Sequence, residues 1–186
     1  MIFAWIPIVI IVLIVGYFIT TYNSLVRLKN QIKNAWSQID VQLKRRHDLI
    51  PNLIETVKGY MGHERQTLEN ITNARSKAMS AESIPDKAKA EGLLGQALGK
   101  FYAVAENYPD LKANQNFLGL QEELTSTENR IAFARQSYND QVLFFNNKIQ
   151  MFPSNMVAGW LNYTIEHFFE LEDNAQREVP KVDFSK

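Results

Sequence analysis

The chain has 186 residues, 46% of them hydrophobic: enough for one domain with a sizeable core, and too few for two ordinary ones once a membrane anchor is subtracted. Its 20 basic and 20 acidic side chains cancel, so no bulk basic excess points to a nucleic-acid partner. With no cysteine, the sequence excludes disulfides, thiolate metal sites, a cysteine nucleophile and lipid attachment through cysteine.

Ile2 to Ile19 carry no charged side chain, and as a helix they span roughly 27 Å, close to the roughly 30 Å hydrocarbon core of a bilayer. Residues 1–20 are therefore expected to form a transmembrane anchor, with lipid as the partner of residues 2–19. Pro7 is tolerable inside a membrane helix, and Trp5 and Tyr17 stand near the two ends, where amphipathic rings prefer to lie. A cleaved signal peptide is the rival reading, but no basic segment precedes the apolar run and no small-x-small pattern follows it. Arg27, Lys29 and Lys33 come next, and this membrane-proximal basic group predicts an outside N-terminus and a cytoplasmic domain.

The remaining residues, 21–186, read as one helical bundle. From Tyr22 to about Ser80 apolar residues recur every seven positions. One row runs through Leu25, Ile32, Ile39, Leu53, Tyr60 and Ala74, the next through Trp36, Leu43, Ile50, Val57, Ile71 and Ala78. Arg46 interrupts the first row and Glu64 the second. Pro51 should kink this helix of about 22–80, or stop and restart it with Asn52 and Glu55 as a capping box. Ser83 and Pro85 signal the start of a shorter helix over about 86–106, with Leu94, Leu98, Phe101 and Ala105 on one face. Gly92, Gly95 and Gly99 lie near one side of it, implying either close approach of another helix or looseness. After Asn107-Tyr108-Pro109-Asp110 a second long helix is expected over about 112–151. Phe117, Leu124, Ile131, Tyr138, Phe145 and Phe152 fall at strict sevens along it. Pro153 ends it, and 154–186 should hold a short helix and an extended tail. Phe101, Phe117, Phe133, Phe144 and Phe145 read as core or near-core. The fold class is all-α: an antiparallel long-helix bundle following one N-terminal transmembrane helix.

Local rules conflict most between Arg46 and Glu64, and Arg46, His47, Asp48, His63 and Glu64 form the candidate interhelical polar network. In it Arg46 would pair with Glu64, or with Glu123 or Glu128 of the opposite helix, and set register. Solvated rim residues are the alternative. Metal is disfavoured, because sixteen residues separate His47 from His63, about 24 Å along a straight helix. Lys44-Arg45-Arg46 falls short of a lipid-binding polybasic cluster. Glu166 and His167 read as a surface turn, and no phosphate loop is present.

The quoted words of this sequence resemble the LemA family of bacterial membrane proteins. They include Asn34-Ala35-Trp36-Ser37-Gln38-Ile39-Asp40, Arg46-His47-Asp48-Leu49-Ile50-Pro51-Asn52-Leu53, Glu106-Asn107-Tyr108-Pro109-Asp110 and Glu128-Asn129-Arg130-Ile131, then Phe152-Pro153 and Pro180-Lys181-Val182. The resemblance implies a helical cytoplasmic domain on one span of the bacterial plasma membrane and an unassigned molecular function. It carries no catalytic residue set, and some relatives take part in forming magnetosome membranes.

Three functions are thus in view. The first is a non-enzymatic, membrane-anchored scaffold whose bundle meets a protein partner or its own copies. It needs no cofactor, metal, nucleic acid or small-molecule substrate. The second is a metal-dependent or catalytic site around Arg46, His47, Asp48, His63 and Glu64. The third is a membrane-shaping protein acting through the basic segment beside the span.

Overall fold

A computed structural model describes residues 5–170. Among them there are helices and no strands: α1 (Trp5–Val57), α2 (Arg65–Ser80), α3 (Ile84–Ala105), α4 (Pro109–Lys112), α5 (Gln115–Gln150) and α6 (Ser154–Trp160). The all-α bundle expected from the heptad rows is the fold of the protein. The expected extended tail at Val179 to Phe184 lies outside the described residues.

Two compact units divide the described residues: 5–43 with 129–168, and 44–128 with 169–170. In the first unit, Leu25, Ile32 and Ile39 of α1 and Ile131, Tyr138, Val142 and Phe145 of α5 are buried, with Val157 and Ala158 of α6. The ring of Trp36 meets Tyr138 edge-on at 5.5 Å between centroids, and Lys29 lies 5.5 Å over Phe145. The partner numbers rise on α5 as they fall on α1, so these two segments are antiparallel. The non-helical stretch after α6 is held to α5 by Asn146, which donates to the carbonyl of Glu166 and accepts from its amide, both at 2.9 Å. The Tyr138 hydroxyl donates to the carbonyl of His167 at 2.9 Å. Lys29 is therefore not a free membrane-facing cation, since it pairs with Glu166, whereas Arg27 and Lys33 are exposed.

In the second unit the core joins Ile50, Leu53, Val57 and Met61 with Ile71 and Ala78 of α2, Leu94, Leu98 and Phe101 of α3, and Phe117 and Leu124 of α5. The polypeptide does not break at Pro51, which lies within α1. It leaves the helix after Val57, in a stretch with Gly59 and Gly62, two residues of low helix propensity. Turn bonds from Tyr60 and Met61 to the carbonyl of Val57 return the chain toward α2, and Met61 fills the core at the turn. The long helix of 22–80 is thus two helices. At the start of α3, the Ser83 hydroxyl accepts the amide of Asp86 at 3.1 Å, with Pro85 in the first turn. The second long helix starts at Gln115 rather than 112. Asn114 caps it by accepting the amides of Asn116 (2.9 Å) and Phe117 (3.1 Å), and this separates α4 from α5.

Spacing misplaced several residues. Phe133 and Phe144 are 74% and 56% exposed, since neither falls on the buried rows of α5. Phe152 extends its row numerically but lies beyond the end of α5 and is exposed. Gly95 and Gly99 are exposed, and a Cβ at either would meet nothing within 4 Å, so no helix approaches them closely.

Candidate functional site

The heptad row that makes α1 a core helix carries Arg46 inward, where the guanidinium is 3% exposed. A cation there needs anionic partners, because desolvation without pairing costs several kcal/mol per ion, of order 5 or more. The main partner comes from α3, whose buried stripe Leu94, Leu98, Phe101 and Ala105 extends back three residues to Glu91, also 3% exposed. Arg46 Nη2 donates to Glu91 Oε2 at 2.6 Å and to the Glu91 carbonyl at 3.1 Å. Arg46 Nη1 donates to Glu128 of α5, whose side chain is 54% exposed. Arg46 Nε is buried with no partner.

His47 Nε2 lies 2.7 Å from the other oxygen of the same carboxylate, Glu91 Oε1. A carboxylate only accepts, so Nε2 donates. Pro51 completes the cluster from the backbone side. It has no N–H to give the carbonyl four residues earlier, which is that of His47. Arg75 of α2 supplies the missing donor, its Nε donating to that carbonyl at 2.7 Å. One cluster thus joins α1, α2, α3 and α5, with two arginines against two glutamates.

Arg46 and His47 come together here; Asp48, His63 and Glu64 make none of its hydrogen bonds. Asp48 and His63 are exposed. Glu64 stands at the start of α2 and accepts the hydroxyl of Tyr108 at 3.2 Å, and burial, then that hydrogen bond and the Glu64 charge, raise the Tyr108 pKa above its ordinary value. Glu123 pairs with Arg45 at 2.5 Å on the exposed surface. Glu91 and Arg75 were missed from the sequence. Glu91 was findable, as a carboxylate on the α3 stripe of the kind that answers an arginine on the α1 stripe. Arg75 carried no periodic signal; its clue is Pro51. Among the described residues no three His, Asp or Glu side chains are placed to hold a metal ion. The arrangement ties the helices together and leaves neither oxygen of Glu91 unbonded.

Elsewhere, the first part of α1 is long and apolar enough to cross a membrane, and its side chains from Trp5 to Tyr17 are exposed, Val12 and Leu13 being 64% and 67% exposed. Together with the bundle, this defines a membrane-associated all-helical protein. Residues 35–184 match the LemA family model, and the chain belongs to the LemA family. It is 32% identical to Protein LemA of Metamycoplasma hominis, over 92% of this chain and 78% of that one. It is 24% identical to magnetosome protein MamQ 2 of Paramagnetospirillum magneticum, over 87% of this chain and 71% of the relative. The magnetosome protein MamQ of Magnetospirillum gryphiswaldense is likewise 24% identical, over 82% and 68%.

Proposed function

We propose that the protein is a non-enzymatic scaffold, held by a single span over residues 2–19 with its N-terminus outside and the bundle in the cytoplasm, and that the bundle presents a surface to a protein partner or to further copies of itself. The observation that carries this is on the outside of the first unit. Val41 of α1 and Phe133 of α5 are 60% and 74% exposed, and with Ser37, Gln38, Gln42, Ala134, Ser137 and the cationic Arg130 they line a groove of about 430 Å³. The buried Oε1 of Gln42 has no hydrogen-bond partner. Exposed aromatic and branched side chains around an unsatisfied acceptor are what an interaction surface requires. The inward-facing Arg46, His47 and Glu91 support a structural role for the polar cluster over acid–base chemistry.

Arg27, Lys29 and Lys33 favour the cytoplasmic orientation. A second reading, membrane organisation, is favoured by relatives whose names place them in magnetosomes and by the exposed Arg27 and Lys33 beside the span.

The test of the scaffold is the native mass and metal content of the full-length protein extracted from its own membrane in mild detergent. A discrete assembly or a co-purifying protein without metal is expected. A monomer with stoichiometric metal that is lost on His47→Ala and His63→Ala would replace the scaffold with a metal site.

A further inference from the structure

Residues 151–165, the turn from α5 into α6 and the chain just beyond it, carry no charged side chain in a protein that is 22% charged. The covered face of α6 is Ser154, Val157 and Ala158. The uncovered face is apolar and large: Met151, Phe152, Met156, Trp160 and Ile165 are 63%, 80%, 69%, 69% and 59% exposed. A bare apolar face of this size in water calls for a cover.

Its position says what covers it. The ring of Trp160 packs edge-on against Phe18, with 5.4 Å between centroids, and Phe18 is the penultimate residue of the apolar run 2–19. The corner therefore lies level with the end of the span and continues its bare apolar surface. Arg27, the first charged residue after the run, stands about 13 Å further along α1 at about 1.5 Å per residue. That leaves room for a headgroup layer of roughly 5–7 Å. Indole prefers this layer.

Several of the corner's backbone groups are paired within it. The Ser154 hydroxyl reaches the carbonyls of Lys148 (2.6 Å) and Met151 (2.9 Å), and the amide of Asn155 donates to the carbonyl of Met151 at 2.8 Å. α6 ends with paired bonds from Asn162 to Gly159 and from Tyr163 to Ala158, both 3.1 Å, with Asn162 at φ 53°. Each such pairing lowers the cost of entering a medium that offers few hydrogen bonds.

We propose that the α5–α6 corner is a second membrane contact, lying in the headgroup–acyl boundary of the leaflet in which the span ends, with phospholipid as its occupant. The inference rests on residues 2–19 being a span. The side chains of Phe152, Met156 and Trp160 enter the leaflet beside the helix that crosses it, to the roughly 5–10 Å depth of an interfacial helix. Such a wedge occupies one leaflet only, so the protein would prefer curved membrane.

The native chain has no cysteine, which makes single-site labelling clean. Full-length Met156→Cys, carrying an environment-sensitive fluorophore, is reconstituted in phosphatidylcholine/phosphatidylglycerol vesicles containing nitroxide-labelled lipid. Ile11→Cys reports the span, and Asn70→Cys, exposed on α2, reports water. The expected result is loss of fluorescence at 156 comparable with that at 11, and none at 70. Quenching at 11 with 156 behaving like 70 overturns the corner contact and keeps the span; this is also the result if a second copy of the chain covers the corner. Quenching at neither 11 nor 156 overturns both.

Discussion

Glu91→Gln should be among the most damaging conservative substitutions in the second unit. The change keeps the size of the side chain and removes the charge that faces Arg46 at 2.6 Å, with both partners 3% exposed. Arg46 would keep the Glu91 backbone carbonyl, but its one remaining anionic partner would be Glu128, whose side chain is 54% exposed. Removing one partner of a buried ion pair costs about 3–5 kcal/mol, because the other charge stays desolvated. Glu128→Gln touches the same guanidinium but acts on a solvent-screened group, where about 0–1 kcal/mol is expected. In a chain of this size each kcal/mol moves Tm by roughly 2–4 °C, so Glu91→Gln should melt about 6–20 °C lower and Glu128→Gln within about 4 °C of the parent. Circular dichroism melts of the full-length protein in one detergent give both values. Equal shifts for the two variants, or a Glu91→Gln shift under about 2 °C, would refute the claim that burial decides which contact matters. The double change Arg46→Met with Glu91→Leu should recover most of the loss, since apolar replacement of a whole buried pair is often neutral or better.

Arg75→Met should cost about 1.5–3 kcal/mol through the orphaned His47 carbonyl, and less in a Pro51→Ala background, where residue 51 regains an amide for that carbonyl; additive effects in the double-mutant cycle would count against the compensation. Gly95→Ala and Gly99→Ala should each raise stability by about 0.5–1 kcal/mol, as both sites are helical and open; a lower Tm for either would reveal a close approach. Tyr102→Phe removes a buried hydroxyl that has no partner and should leave stability unchanged or raise it, by up to about 1–2 kcal/mol. Burial pushes the Tyr102 phenol up to about 12, and burial with the Glu166 charge does the same for Tyr138. Both are harder to ionise folded than unfolded, so their contribution is intact below the ordinary value of 10.0 and is lost as pH rises toward 12. Melts across that window should fall less in the Tyr102→Phe/Tyr138→Phe variant than in the parent.

The sequence shows the bundle clearly because burial imposes a period on long helices. Ile32, Ile39 and Leu43, or Phe117, Leu124, Ile131 and Tyr138, are buried where the sevens place them. Period alone failed at helix ends, where local chemistry decides. Gly59 and Gly62 ended a helix whose rows continued numerically to Ala78, and Asn114 started another later than its apolar row suggested. It failed again for Phe133 and Phe144, expected by spacing in or near the core but lying off the buried rows of α5. At the polar cluster, Arg46 announced itself by sitting on a seam. Its partner did so more faintly, because Glu91 is a lone carboxylate at a stripe position of α3. Asp48 is next to His47 but is exposed, since direction around a helix separates neighbours along it; His63 and Glu64 lie beyond the end of α1, in the turn before α2, and none of the three makes the cluster's hydrogen bonds.

Cross-linking in intact membranes tests the scaffold most directly. The chain has no native cysteine, so Phe133→Cys places one thiol at the exposed groove of the first unit and Thr72→Cys places one on the exposed surface of α2. The scaffold predicts a discrete cross-linked species through position 133, of dimer mass or joined to one recurring protein, and little through position 72. Only monomer at both positions, over a range of cross-linker lengths and at native expression, would contradict it.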